Sequence, residues 1–379
     1  MTDLNWPFFE ERHRELAGRL EEWCEATIHD AESADPDAAC RALVDEMGKA
    51  GFLKLCVSDG KNRPDVRSLA ICRETFARYH GLVDFAFAMQ GLGSGAISLV
   101  GTVEQKREWL PRVAAGQAIA AFAMTEPECG SDAANMQTSA MRDGNEWVLV
   151  GEKTYISNGG IADFYVTFAR TGEGEGARGL SAFIVPADAV TVEQRIEVIA
   201  PHPLARLKYD NVRVPAGAII GEPGEGFRIG METLNLFRVT VGAAALGFAR
   251  RALDEALSWA TSRRLGSGTL ADNAVTQAKL ADMATSIDVS ALLIARAAWQ
   301  QDVGGVDNRR AAAMAKLQAT EAAQQVIDMA VQLHGGAGVT RGVRVEELYR
   351  DIRALRIYEG ASEVQRQIIA RDLLKGGAS

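Results

Sequence analysis

Two short strings in the last fifty residues combine side chains that could do chemistry. Glu359 lies in Arg356-Ile357-Tyr358-Glu359-Gly360-Ala361-Ser362-Glu363-Val364-Gln365-Arg366, and it follows a second string, Gln332-Leu333-His334-Gly335-Gly336-Ala337-Gly338. A carboxylate followed by glycine, between an aromatic residue and a helix-forming run, is placed on a turn that can press it against a ligand. In an apolar, water-poor pocket such a carboxylate holds its proton more tightly and becomes a base suited to neutral pH. The glycine-rich string can bring backbone N–H groups close to a phosphate. Each string alone has a plainer reading. An isolated Glu at a helix start is more often a solvated or capping residue, and Gly-Gly-x-Gly after a helix is more often a C-cap.

Two strings in the middle of the chain suit a flat ligand. Phe122-Ala123-Met124-Thr125-Glu126-Pro127-Glu128-Cys129-Gly130-Ser131-Asp132 offers hydroxyls at Thr125 and Ser131, and Gly130 lets backbone approach a ring closely. Lys153-Thr154-Tyr155-Ile156-Ser157-Asn158-Gly159-Gly160 reads as a strand carrying an aromatic residue and then a small hydroxyl. Alternate side chains of such a strand can cover one ring face while its backbone meets the polar edge. A lone Thr-Glu-Pro is more often an ordinary loop, but the two strings together are more specific than either.

These strings resemble the acyl-CoA dehydrogenase family, and the resemblance runs from about Gly48 to Leu374. It implies an enzyme that converts acyl-CoA to trans-2-enoyl-CoA, with Glu359 taking the α-proton and N5 of FAD the β-hydride. FAD contacts are implied at Phe122, Met124, Thr125, Gly130, Ser131, Tyr155, Ile156 and Ser157. A second set comprises Arg263, Gln332, Gly335, Gly336, Ala361 and Glu363, with Arg263 reaching the cofactor of a neighbouring subunit. Substrate contacts are implied at Ser131, Asn235, Arg238, Tyr358 and Gly360. The backbone N–H of Glu359 would bind the thioester oxygen, where negative charge develops. A homo-oligomer, dimer or tetramer, and an electron-transferring flavoprotein as partner follow from the same resemblance. Some relatives place the base on the helix before Arg238; Asn235-Leu236-Phe237 offers no carboxylate there.

The chain also departs from the family pattern. Tyr155 stands for a Trp and Ser157 for a Thr, with the physical roles kept. Gly266 replaces a Phe, Ala274 a Gln and Ala361 a Thr, which weakens the implied cofactor contacts. Ile199 to Pro215 is abbreviated before Tyr209: the usual Met-Gly-x-Arg hairpin is missing, and Pro201 and Pro203 hold the chain extended. A shortened loop leaves the nucleotide end of CoA less enclosed, or leaves room for an acyl-carrier-protein thioester. An oxygen-using flavin oxidase or monooxygenase is the other alternative. By the family pattern the acyl tail lies along Asp84 to Ala96. Ala86, Ala88, Gly91, Gly93 and Gly95 there are small, and Gln90, Ser94 and Ser98 share one helical face. That stretch reads either as a roomy or polar pocket or as tight helix packing with a satisfied polar stripe.

The elements that must position these residues follow from period and composition. With 379 residues, 47% hydrophobic and 24% charged, the chain is long enough for two or three domains with cores. From Trp6 to about Gly116 the pattern is helical, with breaks at Asp35-Pro36-Asp37 and Ser58-Asp59-Gly60-Lys61; the nearly uncharged stretch Gly81 to Val100 reads as a buried helix pair. Glu146–Val150, Phe164–Phe168 and Ala182–Pro186 read as strands, and Gly172–Gly176 as a hairpin tip. Helical spacing returns after Gly226, with apolar stripes at Leu246, Ala249, Leu253, Leu257 and Ala260 and at Ala319, Ala323, Val326, Ala330 and Leu333. The fold class is therefore α+β, mainly α: a helical domain over 1–119, a small β-barrel or sandwich over 120–219, and a four-helix bundle over 220–379. A net charge of −9 with scattered Lys and Arg argues against nucleic acid and anionic membranes. Five cysteines without C-x-x-C spacing favour neither a disulfide framework nor a metal site. No signal peptide is read at the start and no apolar run of membrane-spanning length, so a cytoplasmic protein is expected.

Overall fold

The computed structural model describes residues 2–28, 35–58, 60, 62–304 and 307–376. Asp59 and Lys61 of the second expected break lie outside the described residues. The chain opens with helices α1 (Glu11–Thr27), α2 (Pro36–Ala50), α3 (Val66–Tyr79), α4 (Gly81–Val100) and α5 (Val103–Ala114). Local chemistry sets their starts. The Asp35 carboxylate accepts from the amides of Asp37 and Ala38 at 3.1 Å, with Pro36 in the first turn of α2. Thr102 and Gln105 form a reciprocal capping box on α5.

Strands follow: β1 (Ala120–Ala123), β2 (Ser139–Asp143), β3 (Glu146–Ser157), β4 (Phe164–Arg170), β5 (Leu180–Pro186), β6 (Thr191–Arg195), β7 (Leu204–Pro215) and β8 (Ile219–Ile220). Helix α6 (Gly226–Ser262), the two-residue strands β9 (Arg264–Leu265) and β10 (Gly268–Thr269), α7 (Ala274–Val303), α8 (Arg309–His334), α9 (Arg344–Leu355) and α10 (Ser362–Leu374) complete the chain. The fold divides into two compact units. One holds Met1–Glu32, Asp65–Asp84 and Arg238–Ser379; the other holds Ser33–Pro64 and Phe85–Phe237.

The second unit is built on the mixed sheet, ordered β6-β7-β3-β2-β4-β5-β8 with β1 paired in parallel to β4. Phe164, Val166 and Phe168 of β4 feed one apolar cluster, and Tyr165 and Ala169 feed another. Both faces are therefore buried, which explains why β4 from Phe164 to Ala169 is mostly apolar instead of alternating, with its one polar residue there, Thr167, hydrogen-bonded to the Tyr209 hydroxyl. The glycine-rich stretch after Arg170 does join antiparallel neighbours, β4 and β5, although a short 3₁₀ turn at Gly176–Gly179 makes the connection longer than a tight hairpin.

The expected helix pair over Gly81 to Val100 is one continuous helix, and it is long and apolar enough to cross a membrane, contrary to the sequence reading. Most of it is buried within the fold, because its small residues are contact points. A Cβ at Gly91 would stand 2.6 Å from the Phe237 ring, at Gly93 2.7 Å from Ala120 backbone, and at Gly95 2.7 Å from Thr233. The polar stripe is engaged too: Gln90 Oε1 accepts from the Ala120 amide, Ser94 donates to the Gln90 carbonyl, and Ser98 accepts from the Ser58 amide. Packing accounts for the glycines, while Gln90 Nε2 is buried without a hydrogen-bond partner.

The first unit is helical. The stripe on α8 is buried at Ala319, Ala323, Val326 and Ala330, whereas on α6 Leu257 is 43% exposed. Leu246, Ala249 and Ala260 of the expected α6 stripe are buried, but between them the buried face runs through Ala252 and Ala256, one position off the expected line and lined by alanine. Small residues there let helices approach closely: a Cβ at Gly247 of α6 would meet the Glu74 carbonyl of α3 at 2.2 Å.

Candidate active site

Glu359 occupies the turn between α9 and α10, as its flanking residues imply, and the turn is strained. Glu359 itself has φ +51°, followed by Gly360 at +89°. A left-handed conformation costs a residue with a Cβ roughly 1–2 kcal/mol, so neighbours must hold it. Lys316 of α8, only 1% exposed, does so from below: its Nζ donates to the carbonyls of Tyr358 at 2.9 Å and Gly360 at 2.6 Å, one on each side of Glu359. Gln365 Nε2 donates to the same Gly360 carbonyl at 2.7 Å. Ser362 Oγ donates to Glu321 at 2.5 Å, and Arg356 pairs with the other oxygen of that carboxylate at 2.8 Å. Both ends of the turn are thereby tied to α8.

The Glu359 carboxylate points inward. Its Oε2 is buried without a hydrogen-bond partner. Burial pushes its pKa up; the cations Arg73, Lys316 and Arg238 oppose that shift and Asp84 adds to it. Lys316 is pulled down to about 8, chiefly by burial and against the attraction of Glu359. The Tyr358 hydroxyl is pushed up, mainly by burial, with Arg73 acting against the shift. An inward carboxylate with an unfilled oxygen, raised affinity for a proton and cations on several sides can accept a proton from something placed against it. Lys316→Met is expected to lower stability by about 2 kcal/mol, since hydrogen bonds to a charged donor are worth roughly 1.5–3 kcal/mol each and relief of cation burial offsets part of that. Thermal unfolding measures this. Turnover is expected to fall about 100-fold, the scale of a misplaced catalytic group.

The other expected residues fall into separate groups. In the sheet unit, Phe122, Met124, Thr125, Gly130 and Ser131 lie on β1 and the loop after it, beside Tyr155, Ile156 and Ser157 of β3. The loop is pinned to β3 by Thr154 N–H donating to the Thr125 carbonyl at 2.9 Å and by the buried Lys153, whose Nζ donates to Met124 O at 3.0 Å and Glu126 Oε1 at 2.8 Å. Glu126 also accepts from the amides of Gln137 and Thr138. Tyr155 has φ +55° within an irregular stretch of the β3–β7 register, and its side chain is 63% exposed. A Cβ at Gly130 would meet nothing within 4 Å. Asn235 lies in this unit as well, on the first turns of α6.

In the helical unit, Arg263 stacks over Trp259 at 5.7 Å, and Trp259 stacks on His334 at 4.7 Å. That column brings Arg263 beside the Gln332–Gly336 segment, where α8 gives way to a 3₁₀ turn with Gly335 at φ +60°. Arg263, Gln332, Gly335 and Gly336 are all exposed. Ala361 caps α10 and Glu363 is exposed in its first turn, while Arg238 is buried on α6 with its cation acting on Glu359. The segment from Ile199 connects β6 to β7, and its His202 ring packs 4.5 Å from Phe85.

Sequence reading missed the charges that hold the site: Lys316, Glu321, Arg73 and Asp84. A signal existed for Lys316, a lone cation among Ala312, Ala313, Ala315 and Ala319 on a helix face otherwise made of small residues.

Comparison with known proteins gives one consistent answer. Residues 10–117, 121–212 and 224–374 match the acyl-CoA dehydrogenase N-terminal, middle and C-terminal domains, respectively. The chain is 35% identical to a 3-(aryl)acrylate reductase of Clostridium sporogenes, covering 97% of this chain and all of that one. It is 36% identical to the caffeyl-CoA reductase-Etf complex subunit CarC of Acetobacterium woodii, over 88% of this chain and 89% of the relative. Among solved structures, a glutaryl-CoA dehydrogenase from Mycobacterium smegmatis in complex with FADH2 superposes with a TM-score of 0.86 at 28% identity, covering 98% of this chain and 96% of that one.

Proposed function

Because the chain belongs to the acyl-CoA dehydrogenase family and has its three-domain architecture, we propose that this oxidoreductase catalyses α,β-dehydrogenation of an acyl-CoA thioester with Glu359 as the base. The observation that carries the reading is the inward Glu359 carboxylate on its strained turn, with one buried oxygen left for a ligand proton.

The residues fit a flavin. A planar ring has a stacking partner in the exposed Tyr155, an open approach at Gly130, and hydroxyls at Thr125, Ser131 and Ser157. Phe122, Met124 and Ile156 line the same strands. Bound FAD supplies a hydride acceptor at N5. The protein's own part is the proton: Glu359 takes it from the α-carbon, and the Glu359 N–H stabilises the charge that develops on the thioester oxygen. Arg238, Tyr358 and Gly360 border the carboxylate and would contact the substrate. Arg263, Gln332, Gly335 and Gly336 are exposed together on one chain, which suits a role toward the cofactor of a neighbouring subunit in a dimer or tetramer, with Ala361 and Glu363 nearby in sequence to the base.

The same groups run the reaction in reverse, and the reductase names of two relatives favour that direction as the second reading. Electron exchange with an electron-transferring flavoprotein is proposed on the name of the Acetobacterium woodii subunit. The experiment is anaerobic addition of an acyl-CoA panel to flavin-loaded protein, followed by electron-transferring flavoprotein or air. Bleaching by saturated thioesters and recovery with the flavoprotein are expected. Bleaching by none, with reoxidation of chemically reduced enzyme by enoyl-CoA, would assign the reductase direction, and fast recovery in air an oxidase.

A further inference from the structure

Arg73 has no part in the family resemblance above and Asp84 enters it only as the start of the expected acyl-tail stretch, yet the pair they form stands beside the candidate base. Arg73 of α3 is 2% exposed and Asp84 in the first turn of α4 is 3% exposed. They pair through two parallel contacts, Nε to Oδ1 and Nη2 to Oδ2, both 2.8 Å, and Arg73 Nη1 donates to Thr240 of α6 at 3.3 Å. A buried ion pair is seldom worth more to stability than apolar side chains of the same volume, so its presence asks for another reason. Its neighbours supply one. Arg73 makes a side-chain hydrogen bond to Tyr358, the residue before the base; its cation acts on both the Tyr358 hydroxyl and the Glu359 carboxylate, and Asp84 acts on both with the opposite sign.

We propose that Arg73, clamped by Asp84 and Thr240, is a positioning residue for the base: it ties α3, α4 and α6 to the Tyr358–Glu359 turn and balances the charge that Glu359 gains and loses in each turnover. This rests on the proposed role of Glu359. The groups facing that carboxylate are Arg73 on α3, Asp84 on α4, Arg238 on α6, Lys316 on α8 and Tyr358 on the turn itself. With Glu359 ionised, three cations face two carboxylates, so the pocket tolerates the charged form despite burial. Arg73 alone would over-stabilise that form and weaken the base; Asp84 offsets it.

The signs follow. Asp84→Asn leaves the Arg73 cation unopposed, and the midpoint at which Glu359 loses its proton is expected to fall by about one pH unit. Arg73→Gln removes the larger of the two influences and is expected to raise the midpoint by more than that. Arg73→Gln/Asp84→Asn, which buries no unpaired charge, is expected between wild type and Arg73→Gln. Two readouts follow the same proton. One is the pH dependence of flavin reduction by a thioester under single-turnover conditions. The other is the infrared band of the protonated Glu359 carboxyl, assigned by its absence in Glu359→Gln, which reports whether or not any thioester reacts. If wild type is not reduced by thioesters, the proposed reaction fails while the infrared order still decides this inference. Equal midpoints in all four proteins, or a rise in Asp84→Asn, would overturn it. The double variant keeps the comparison open should a single variant not fold.

Discussion

Glu359→Gln is expected to slow flavin reduction by an acyl-CoA thioester by about 10³-fold or more, the scale of losing a general base, while leaving the protein folded and yellow. The amide keeps the shape of the carboxylate and can fill the same inward position, but it cannot take the α-proton. Folding should not suffer, because the change removes a buried charge whose oxygen lacks a partner. Stopped-flow reduction with saturating thioester measures the chemical step separately from binding. A rate near that of wild type would transfer the role to another group. In wild type the rate should rise with pH through a midpoint above the usual carboxylate range, since burial raises the pKa of Glu359 and only the deprotonated form acts. The variant should lose that limb of the profile.

Lys153→Met is expected to lower stability by about 3–5 kcal/mol, the cost of leaving one partner of a buried ion pair alone. That is a large share of the roughly 5–15 kcal/mol that holds a typical domain together. Lys153 is fully buried in β3, and Glu126 would keep its charge with only the Gln137 and Thr138 amides as partners. Since Lys153 also holds the Met124 carbonyl, the loop bearing Thr125 and Gly130 should loosen and the protein should purify with less flavin. Denaturant unfolding gives the first quantity and the ratio of flavin to protein absorbance the second. Lys153→Met/Glu126→Gln should recover much of the stability, because no buried charge is then left alone. A double variant as unstable as the single one would mean that the Met124 contact, not the ion pair, matters most.

The sequence reached the site unevenly, for physical reasons. Glu359-Gly360 was legible because a turn announces itself locally, through a glycine and a change of helical phase. The β4 and β5 strands were legible because they are apolar on both faces and bounded by turn residues. Gly81–Val100 reads as two helices but folds as one: its glycines become contacts only when Phe237, Ala120 and Thr233 arrive from distant parts of the chain. Leu257 was misplaced because alanines can form a buried face as readily as leucines where helices run close. Lys316 and the Arg73–Asp84 pair were missed because charged residues in helices are usually solvated, and nothing local distinguishes those whose partners lie in other helices.

Apart from glycines, the described residues with left-handed backbone are Tyr155, Asn158, Asn211 and Glu359. Asparagine tolerates that conformation; tyrosine and glutamate do not. The two expensive positions are therefore the proposed ring platform and the proposed base, one in each unit. Glycine at either would relieve roughly 1 kcal/mol of backbone strain. Heat challenge of a random library, scored by surviving fold alone, would thus reward loss of the chemistry. An engineer seeking a tougher version of this protein should freeze positions 155 and 359 before the first round, and gain stability elsewhere.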